Sequence, residues 1–400
     1  TFPVDKRGSS RHHPPVSRRG ERRMGAGGTI VDLFCGCGGF SLGAELAGFR
    51  SLAAIDVDAT LQSGYRRNFP QARSVEASVA DLGGPEWRRI LGRARPDGVI
   101  GGPPCQGFSW IGKKFEGDPR NTLIAEFFRQ VAILRPKFFV MENVEGLLHD
   151  GNIRYLEEGI ASLPGEYVVN APVVVNAAEL GAATTRQRVV VLGWNPSEIE
   201  ALDAGEILSS RGEVATVRDA ISDLPSPCHV GQNREDFSWA RYPHRAKSSL
   251  SRYASAMRTL PPPGVGDAEA ITRMSEGYVS GLDRTIHRAD ISQRYASIIP
   301  GKSDPITKSY KLAWEGRCPT LRAGTGADKG AFQAVRPLHP SLGRVITVRE
   351  AARLQGFPDW FLFHPTKWHS FRMIGNSVSP IVSRSIFDHV LRKLRGPLAA

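Results

Sequence analysis

The 400-residue sequence predicts an α/β protein, a doubly wound and mostly parallel sheet with helices on both faces, plus a second, smaller and irregular region. Three observations carry that prediction. Short β-branched apolar runs alternate with helical stretches between residues 29 and 195, and several of these runs end at glycines. After Trp194 the periodicity fades into sequence rich in Pro, Ser, Arg and Gly.

Thr29 to Phe34 predicts the first strand, and Gly36, Gly38 and Gly39 turn the chain into a helix over 41–47 that closes at Gly48. Ser51 to Ile55 is the second strand and ends at Asp56. A helix near 61–68, a strand near Val99, a helix over 122–134 and a strand over 138–141 follow, with further strands near 173–175 and 189–192. The stretch 196–316 predicts mostly short strands and loops, punctuated by Pro261-Pro262-Pro263-Gly264. Helices return over 347–354 and 381–394. Residues 1–27 read as a disordered basic tail in which Lys6, Arg7, Arg11, Arg18, Arg19, Arg22 and Arg23 alternate with Gly, Ser, Pro and His.

A hydrophobic fraction of 41% is enough for a packed interior, and 52 Lys and Arg against 40 Asp and Glu give a net charge of +12. That excess suits a polyanionic partner, nucleic acid first. No window is apolar enough to span a bilayer and no secretory core precedes the first strand, so the expectation is a cytoplasmic, nucleoid-associated protein without membrane contact. Cys35, Cys37, Cys105, Cys228 and Cys318 are an odd, scattered set of reduced thiols. Neither Cys35-x-Cys37 nor Cys228-His229 has the spacing of a zinc knuckle, and no metal is expected.

The segment Gly101-Gly102-Pro103-Pro104-Cys105-Gln106-Gly107-Phe108-Ser109 ends an apolar run in a rigid turn that presents a thiol. Thiolate is the strongest nucleophile among ordinary side chains, which makes Cys105 a candidate for covalent catalysis; a small apolar residue packed in a loop is the competing reading. The first strand–helix turn, Asp32 to Gly39, exposes backbone N–H groups, and Asp56 ends the next strand about twenty residues later, where an acid meets ribose hydroxyls. This points to a nucleoside cofactor; no Gly-Lys-Ser/Thr follows, which disfavours an ATP phosphate loop. These residues alone do not separate a nicotinamide from S-adenosylmethionine.

DLFCGCGGFSLG, GGPPCQGFS, MENVEG, TRQRVVVLG and RMIGNSVSP resemble, in order and spacing, the motifs of the DNA (cytosine-5)-methyltransferases, over most of residues 29–195 and 317–385. The resemblance implies a Rossmann-like class I methyltransferase fold: a catalytic S-adenosylmethionine-binding domain over 28–195, a target-recognition domain and hinge over 196–366, and the C-terminal part of the catalytic domain over 367–400. It implies methyl transfer from S-adenosylmethionine to carbon 5 of a flipped cytosine in a specific duplex DNA sequence. Cys105 would be the nucleophile, Glu142 would meet charge at ring nitrogen 3, and Arg186 and Arg188 would hold the target base and the Cys105 region, Arg188 near the cytosine carbonyl.

For the cofactor it implies Phe34, Gly36, Gly38 and Gly39 as the cradle, Asp56 on the ribose, Leu123 in the adenine pocket, and Asn376 and Val378 on the methionine side. Two positions depart from the pattern: Ser78 stands where an Asp commonly meets the adenine amino group, leaving Asp81 as a substitute, and Thr184 stands where Gln is frequent. The stretch 106–118, with Lys113 and Lys114, would close over the flipped base, and Arg241, Tyr242 and Arg245 would read bases or phosphates. The segments at Arg317 and Arg349 would be structural supports of the recognition region.

The expected setting is a restriction–modification or orphan methylase, monomeric on double-stranded DNA, accompanied or not by a cognate restriction endonuclease. A tRNA cytosine methyltransferase is the alternative substrate class, against which stand the long basic recognition region and the lack of a Cys-Phe-Thr signature. A non-catalytic DNA-binding homologue is a third reading, against which stand intact Cys105 and Glu142.

Overall fold

The computed structural model describes residues 27–104, 122–149, 151–228, 237–243, 249–323 and 336–395. The first β-branched run forms β1 (Thr29–Leu33), and α1 (Gly39–Leu46) starts at Gly38, whose φ of +95° suits glycine. Then come β2 (Arg50–Asp56), α2 (Ala59–Asn68), β3 (Arg73–Glu76), α3 (Gly84–Leu91), β4 (Gly98–Gly101), α4 (Thr122–Leu134), β5 (Phe138–Asn143), α5 (Ile153–Ala161), β6 (Val168–Val169), β7 (Val173–Asn176) and β8 (Gln187–Trp194). The later elements are α6 (Ala204–Ser209), α7 (Val217–Ile221), β9 (Ala240–Arg241), α8 (Arg252–Met257), α9 (Ala268–Ser275), β10 (Tyr278–Val279), α10 (Ala289–Ser297), α11 (Val348–Gln355), α12 (Lys367–Asn376) and α13 (Pro380–Arg395).

Eight strands form the main sheet in the order β3-β2-β1-β4-β5-β8-β6, with β7 also on β8. Pairing is parallel from β3 through β5, and β8 runs antiparallel to β5, β6 and β7. No described helix separates β7 from β8, so the chain makes no crossover and must reverse direction. Alternate residues bury opposite faces. Ile30, Ile100, Phe138 and Val140 pack with α1 and α13, whereas Val31, Leu33, Val99, Phe139 and Met141 pack with Phe127 and Phe128 of α4. Two cross-strand glycines admit the largest of these rings: a Cβ on Gly98 would lie 2.2 Å from the Phe138 ring, and one on Gly193 2.1 Å from that of Phe139.

Stretch 196–316 differs from the expectation of short strands. Its regular structure among the described residues is chiefly the five short helices α6 to α10, with β9 and β10 as one small antiparallel pair. Asp203, Thr216, Ser251 and Asp267 cap four of these helices with side-chain oxygens. Helices this short do not display a 3.6-residue period, so periodicity missed what capping residues signalled.

Every residue of α11 is buried, including Arg349 and Arg353. Arg353 donates to both carboxylate oxygens of Asp359 at 2.6 and 2.7 Å and to Asp223 at 3.1 and 3.2 Å. Tyr242, expected to read DNA, instead donates its hydroxyl to Asp359 and lies under the Arg258 guanidinium, 3.7 Å from its ring centre. It is a strut between β9 and the core. Arg353→Met is expected to cost roughly 3 kcal/mol, because it removes a shared counter-charge from two buried carboxylates that keep only Arg258 on Asp223 and Tyr242 and Arg349 on Asp359; urea denaturation measures this.

His339 gives the fold a pH dependence. Its Nδ1 accepts the N–H groups of Ser341 and Leu342 at 3.1 and 3.2 Å, and burial, outweighing the pull of Glu350, lowers its pKa from 6.5 to about 4. The unfolded chain therefore takes up this proton first. The contribution is complete above pH 6.5 and fades as pH falls towards 4, by about 3 kcal/mol. Wild-type and His339→Asn proteins should show urea midpoints that converge over that interval.

Candidate active site

The strand order reverses between β1 and β4, so the crevice beyond their carboxyl ends is where ligands of open α/β sheets bind. At the end of β1, Phe34 holds a left-handed φ of +59°, uncommon for a side chain of its size. Gly36 (φ +55°) faces open space: a Cβ there would meet nothing within 4 Å. Gly39 serves a different purpose. A Cβ on it would lie 2.5 Å from the Val378 carbonyl oxygen, so glycine lets the turn between α12 and α13 close onto the first helix. Asn376 is exposed beside that contact, whereas the Val378 side chain is buried in the α1–α13 layer.

Asp56 accepts the N–H of Gly36 on Oδ2 and that of Asp58 on Oδ1, both at 2.9 Å. Burial raises its pKa against these two hydrogen bonds. It thus ties the glycine turn to the end of β2. Asp32 lies under 2% exposed in β1; its Oδ2 accepts Ser41 Oγ at 2.6 Å while Oδ1 has no hydrogen-bond partner among the described residues. Burial pushes its carboxyl up to about 7. The Cys37 thiol is pushed up to about 12 and that of Cys35 well above its ordinary value, so neither is a nucleophile near neutral pH. Ser78 is engaged locally, accepting the Ala80 N–H at 3.2 Å. Leu123 sits half-buried in the first turn of α4.

The neighbouring strand ends make a second cluster. Glu142 and Asn143 close β5 beside Gly101 and the Pro103-Pro104 turn. Asn143 Nδ2 donates to the Pro103 carbonyl at 3.2 Å, pinning the turn from which residue 105 emerges. Cys105, Lys113, Lys114 and Arg245 lie outside the described residues. Glu142 Oε1 pairs with Arg188 Nε at 2.9 Å across β5 and β8. A Cβ on Gly102 would sit 3.2 Å from Glu142 Oε2, so glycine leaves that oxygen accessible from the turn.

Arg186, two residues before Arg188, is buried and donates Nη1 to the Leu321 carbonyl at 3.3 Å. Segment 318–323 is also held by the Thr184–Cys318 bridge, by Thr185 N–H on the Cys318 carbonyl at 2.9 Å, and by Gly375, whose Cβ would lie 2.4 Å from Ala323 N. It is thus wedged between the Arg186 and Asn376 sides of the crevice, which sequence reasoning did not foresee. Val57, directly after Asp56 at the end of β2, is 65% exposed.

Residues 28–392 match the family described as C-5 cytosine-specific DNA methylase. The chain is 42% identical over 369 residues to the Type II methyltransferase M.XorII of Xanthomonas oryzae pv. oryzae, spanning 91% of this chain and 85% of that one. It is 33% identical over 375 residues to the Type II methyltransferase M1.HphI of Haemophilus parahaemolyticus, spanning 91% and 87%. Among solved structures, a protein of Escherichia coli described as a prophage-encoded DNA modification methyltransferase superposes with a TM-score of 0.82 at 36% identity, covering 92% of this chain and 99% of its own. Dnmt2 of Schizosaccharomyces pombe, at 13% identity and a TM-score of 0.55 over 93% and 100%, shares the fold alone. A match running from the entry of β1 into α13, with relatives of 42% and 33% identity over 91% of the sequence, makes this chain a member of the C-5 cytosine-specific DNA methylases, a cytosine-5 DNA methyltransferase acting on double-stranded DNA.

Proposed function

We propose that the enzyme transfers a methyl group from S-adenosylmethionine to carbon 5 of a cytosine flipped out of a specific DNA sequence, through a covalent bond between Cys105 and the base. The observation that carries this reading is the clustering, at one sheet edge, of the Glu142–Arg188 pair and the proline turn that Asn143 holds immediately before Cys105.

Carbon 5 of cytosine is a poor nucleophile. Addition of the Cys105 thiolate to carbon 6 pushes an electron pair through the ring, making carbon 5 enamine-like and raising charge at nitrogen 3. Glu142 meets that charge by sharing a proton with nitrogen 3, and Arg188 orients Glu142 and the base carbonyl. Arg186 holds segment 318–323 against this edge. Once carbon 5 has taken the methyl group, with S-adenosylhomocysteine as the leaving group, loss of the carbon 5 proton to solvent water expels the thiolate and restores the ring. A base inside a duplex hides carbon 6, so the target must leave the stack.

Family members use S-adenosylmethionine, which supplies an electrophilic methyl group when bound. The residues present fit it. Open space over Gly36 accepts the ligand backbone, and Phe34, Gly38 and Gly39 shape the turn. Asp56 keeps lone pairs for ribose hydroxyls on oxygens that each already accept one N–H. Val57 and Leu123 offer apolar surface to adenine, and Asn376 faces the methionine end, with the Val378 backbone closing against Gly39.

Packing of α13 on α1 supports a catalytic unit assembled from 28–195 and 367–400, with 196–366 as the recognition domain and hinge. We place the enzyme, a monomer on nucleoid DNA, in restriction–modification or as an orphan methylase, with no cognate endonuclease needed for its activity. No described helix is long and apolar enough to cross a membrane. Incubation with labelled S-adenosylmethionine and either duplex DNA or tRNA should yield 5-methylcytosine in the duplex alone; label confined to tRNA, or absent from both, would contradict the reading.

A further inference from the structure

Several of the exposed large apolar side chains among the described residues, Ile286, Ile299, Ile306 and Leu342, fall between β10 and α11. Ile299 is 69% and Ile306 62% exposed, so most of each residue's surface is in water. Ile306 stands at the tip of a turn over 303–309, closed at its base by the Ser303–Tyr310 bridge. Lys302 and Lys308 flank it and are exposed.

The turn is unusually well held for a surface loop. Asp304, fully buried, accepts the N–H and hydroxyl of Thr307 on Oδ2 at 2.7 and 2.6 Å, and Arg294 Nε on Oδ1 at 3.1 Å. Its backbone N–H donates to the Ser309 carbonyl at 2.8 Å and its carbonyl accepts the Lys308 N–H at 2.9 Å. Lys308 sits at φ +60°, a strained conformation for a lysine that these bonds enforce. Beneath the turn, buried Lys311 donates Nζ to the carbonyls of Tyr295 and Ala296 at 2.9 and 2.8 Å, locking α10 to its base. From Lys311 the chain runs on to Cys318 and Leu321, the residues tied to Thr184 and to Arg186 just before β8.

We propose that the turn over 303–309 is a groove-reading element for duplex DNA, with Ile306 the specificity-determining side chain against an apolar base edge such as a pyrimidine 5-methyl group, and Lys302 and Lys308 on the flanking phosphates. The turn carries the exposed side chains of Lys302 and Lys308, the latter also donating Nζ to the Pro305 carbonyl at 2.8 Å, and one apolar side chain, while its one carboxylate is buried and bonded through both oxygens. That pattern complements a polyanion with methyl groups on its groove floor, not an acid-and-base-patterned protein surface. Preorganisation matters because a reader that must first order itself loses discrimination. The turn leads along the chain into segment 318–323, which is bonded to Thr185 and Arg186 at the crevice. The inference rests on the reading of the chain as an enzyme that methylates one cytosine within a specific duplex sequence.

The test uses the full chain, S-adenosylmethionine and a randomised duplex library, with methylated cytosines mapped by sequencing and initial rates measured over a salt series. Ile306→Ala should methylate the same cytosine but lose about tenfold in discrimination at one position of the site. Lys308→Ala should lower kcat/KM uniformly across sequences and reduce the salt slope by about one, leaving the site unchanged. Both residues are exposed, so folding should be unaffected, and S-adenosylhomocysteine binding, measured by calorimetry, should match wild type. If wild type has a defined site and neither variant alters discrimination or salt slope, the turn faces something other than DNA and the proposal is overturned. If wild type binds S-adenosylhomocysteine yet methylates no duplex, the reading beneath it falls as well.

Discussion

Replacing Cys105 with alanine is expected to abolish methyl transfer, with a loss on the order of 10⁴-fold or more, while binding of S-adenosylmethionine stays close to wild type. Without a thiolate at carbon 6 there is no route by which the ring becomes nucleophilic at carbon 5, and the remaining contacts can position but not activate. No described cysteine of the glycine turn can substitute. Cys35 and Cys37 are buried, and burial holds both as neutral thiols. Single-turnover assays with labelled donor, alongside calorimetric titration with S-adenosylhomocysteine, check both halves of the expectation. Transfer that survived the substitution would remove the covalent step from the account.

The second large effect is at Glu142. Glu142→Gln preserves the side-chain volume and an oxygen for Arg188 but removes a carboxyl that can share a proton with ring nitrogen 3. The expected cost is about 10²- to 10⁴-fold in kcat, with KM for DNA changed far less. The geometry makes a further distinction. Because Arg188 Nε lies 2.9 Å from Glu142 Oε1, Arg188→Ala frees the carboxylate and removes a base contact together. The double variant should therefore lose much less than the product of the single losses. Additive losses would mean that the two side chains act separately.

Much of the catalytic layer was legible in the sequence because its signals are local. An apolar β-branched run ending at Phe34-Cys35-Gly36 fixes a strand and its turn, and the run ending in Met141-Glu142-Asn143 puts a carboxylate at a strand end. What the sequence did not display are contacts between residues far apart in the chain. Arg188 read as a base-facing cation, yet its partner in the structure is Glu142, brought alongside only by the antiparallel pairing of β5 and β8. Tyr242 looked free to meet DNA because nothing nearby in sequence shows that Asp359 accepts its hydroxyl. The short helices α6 to α10 were read as loops and strands because five to nine residues hold too few turns for a hydrophobic stripe. Segment 318–323 drew notice as a support, but its grip on Arg186 and its fit against Gly375 depend on tertiary packing.

The central claim is a carbon–sulfur bond between Cys105 and carbon 6 of the target cytosine. A duplex carrying 5-fluorocytosine at the methylated position tests it most directly, because fluorine on carbon 5 cannot leave as a proton does and the adduct stays trapped. With S-adenosylmethionine present, the account predicts a protein–DNA species stable to denaturation, whose peptide map places the linkage on Cys105. No stable species on a duplex that contains the mapped site, or a linkage at any other residue, would contradict it.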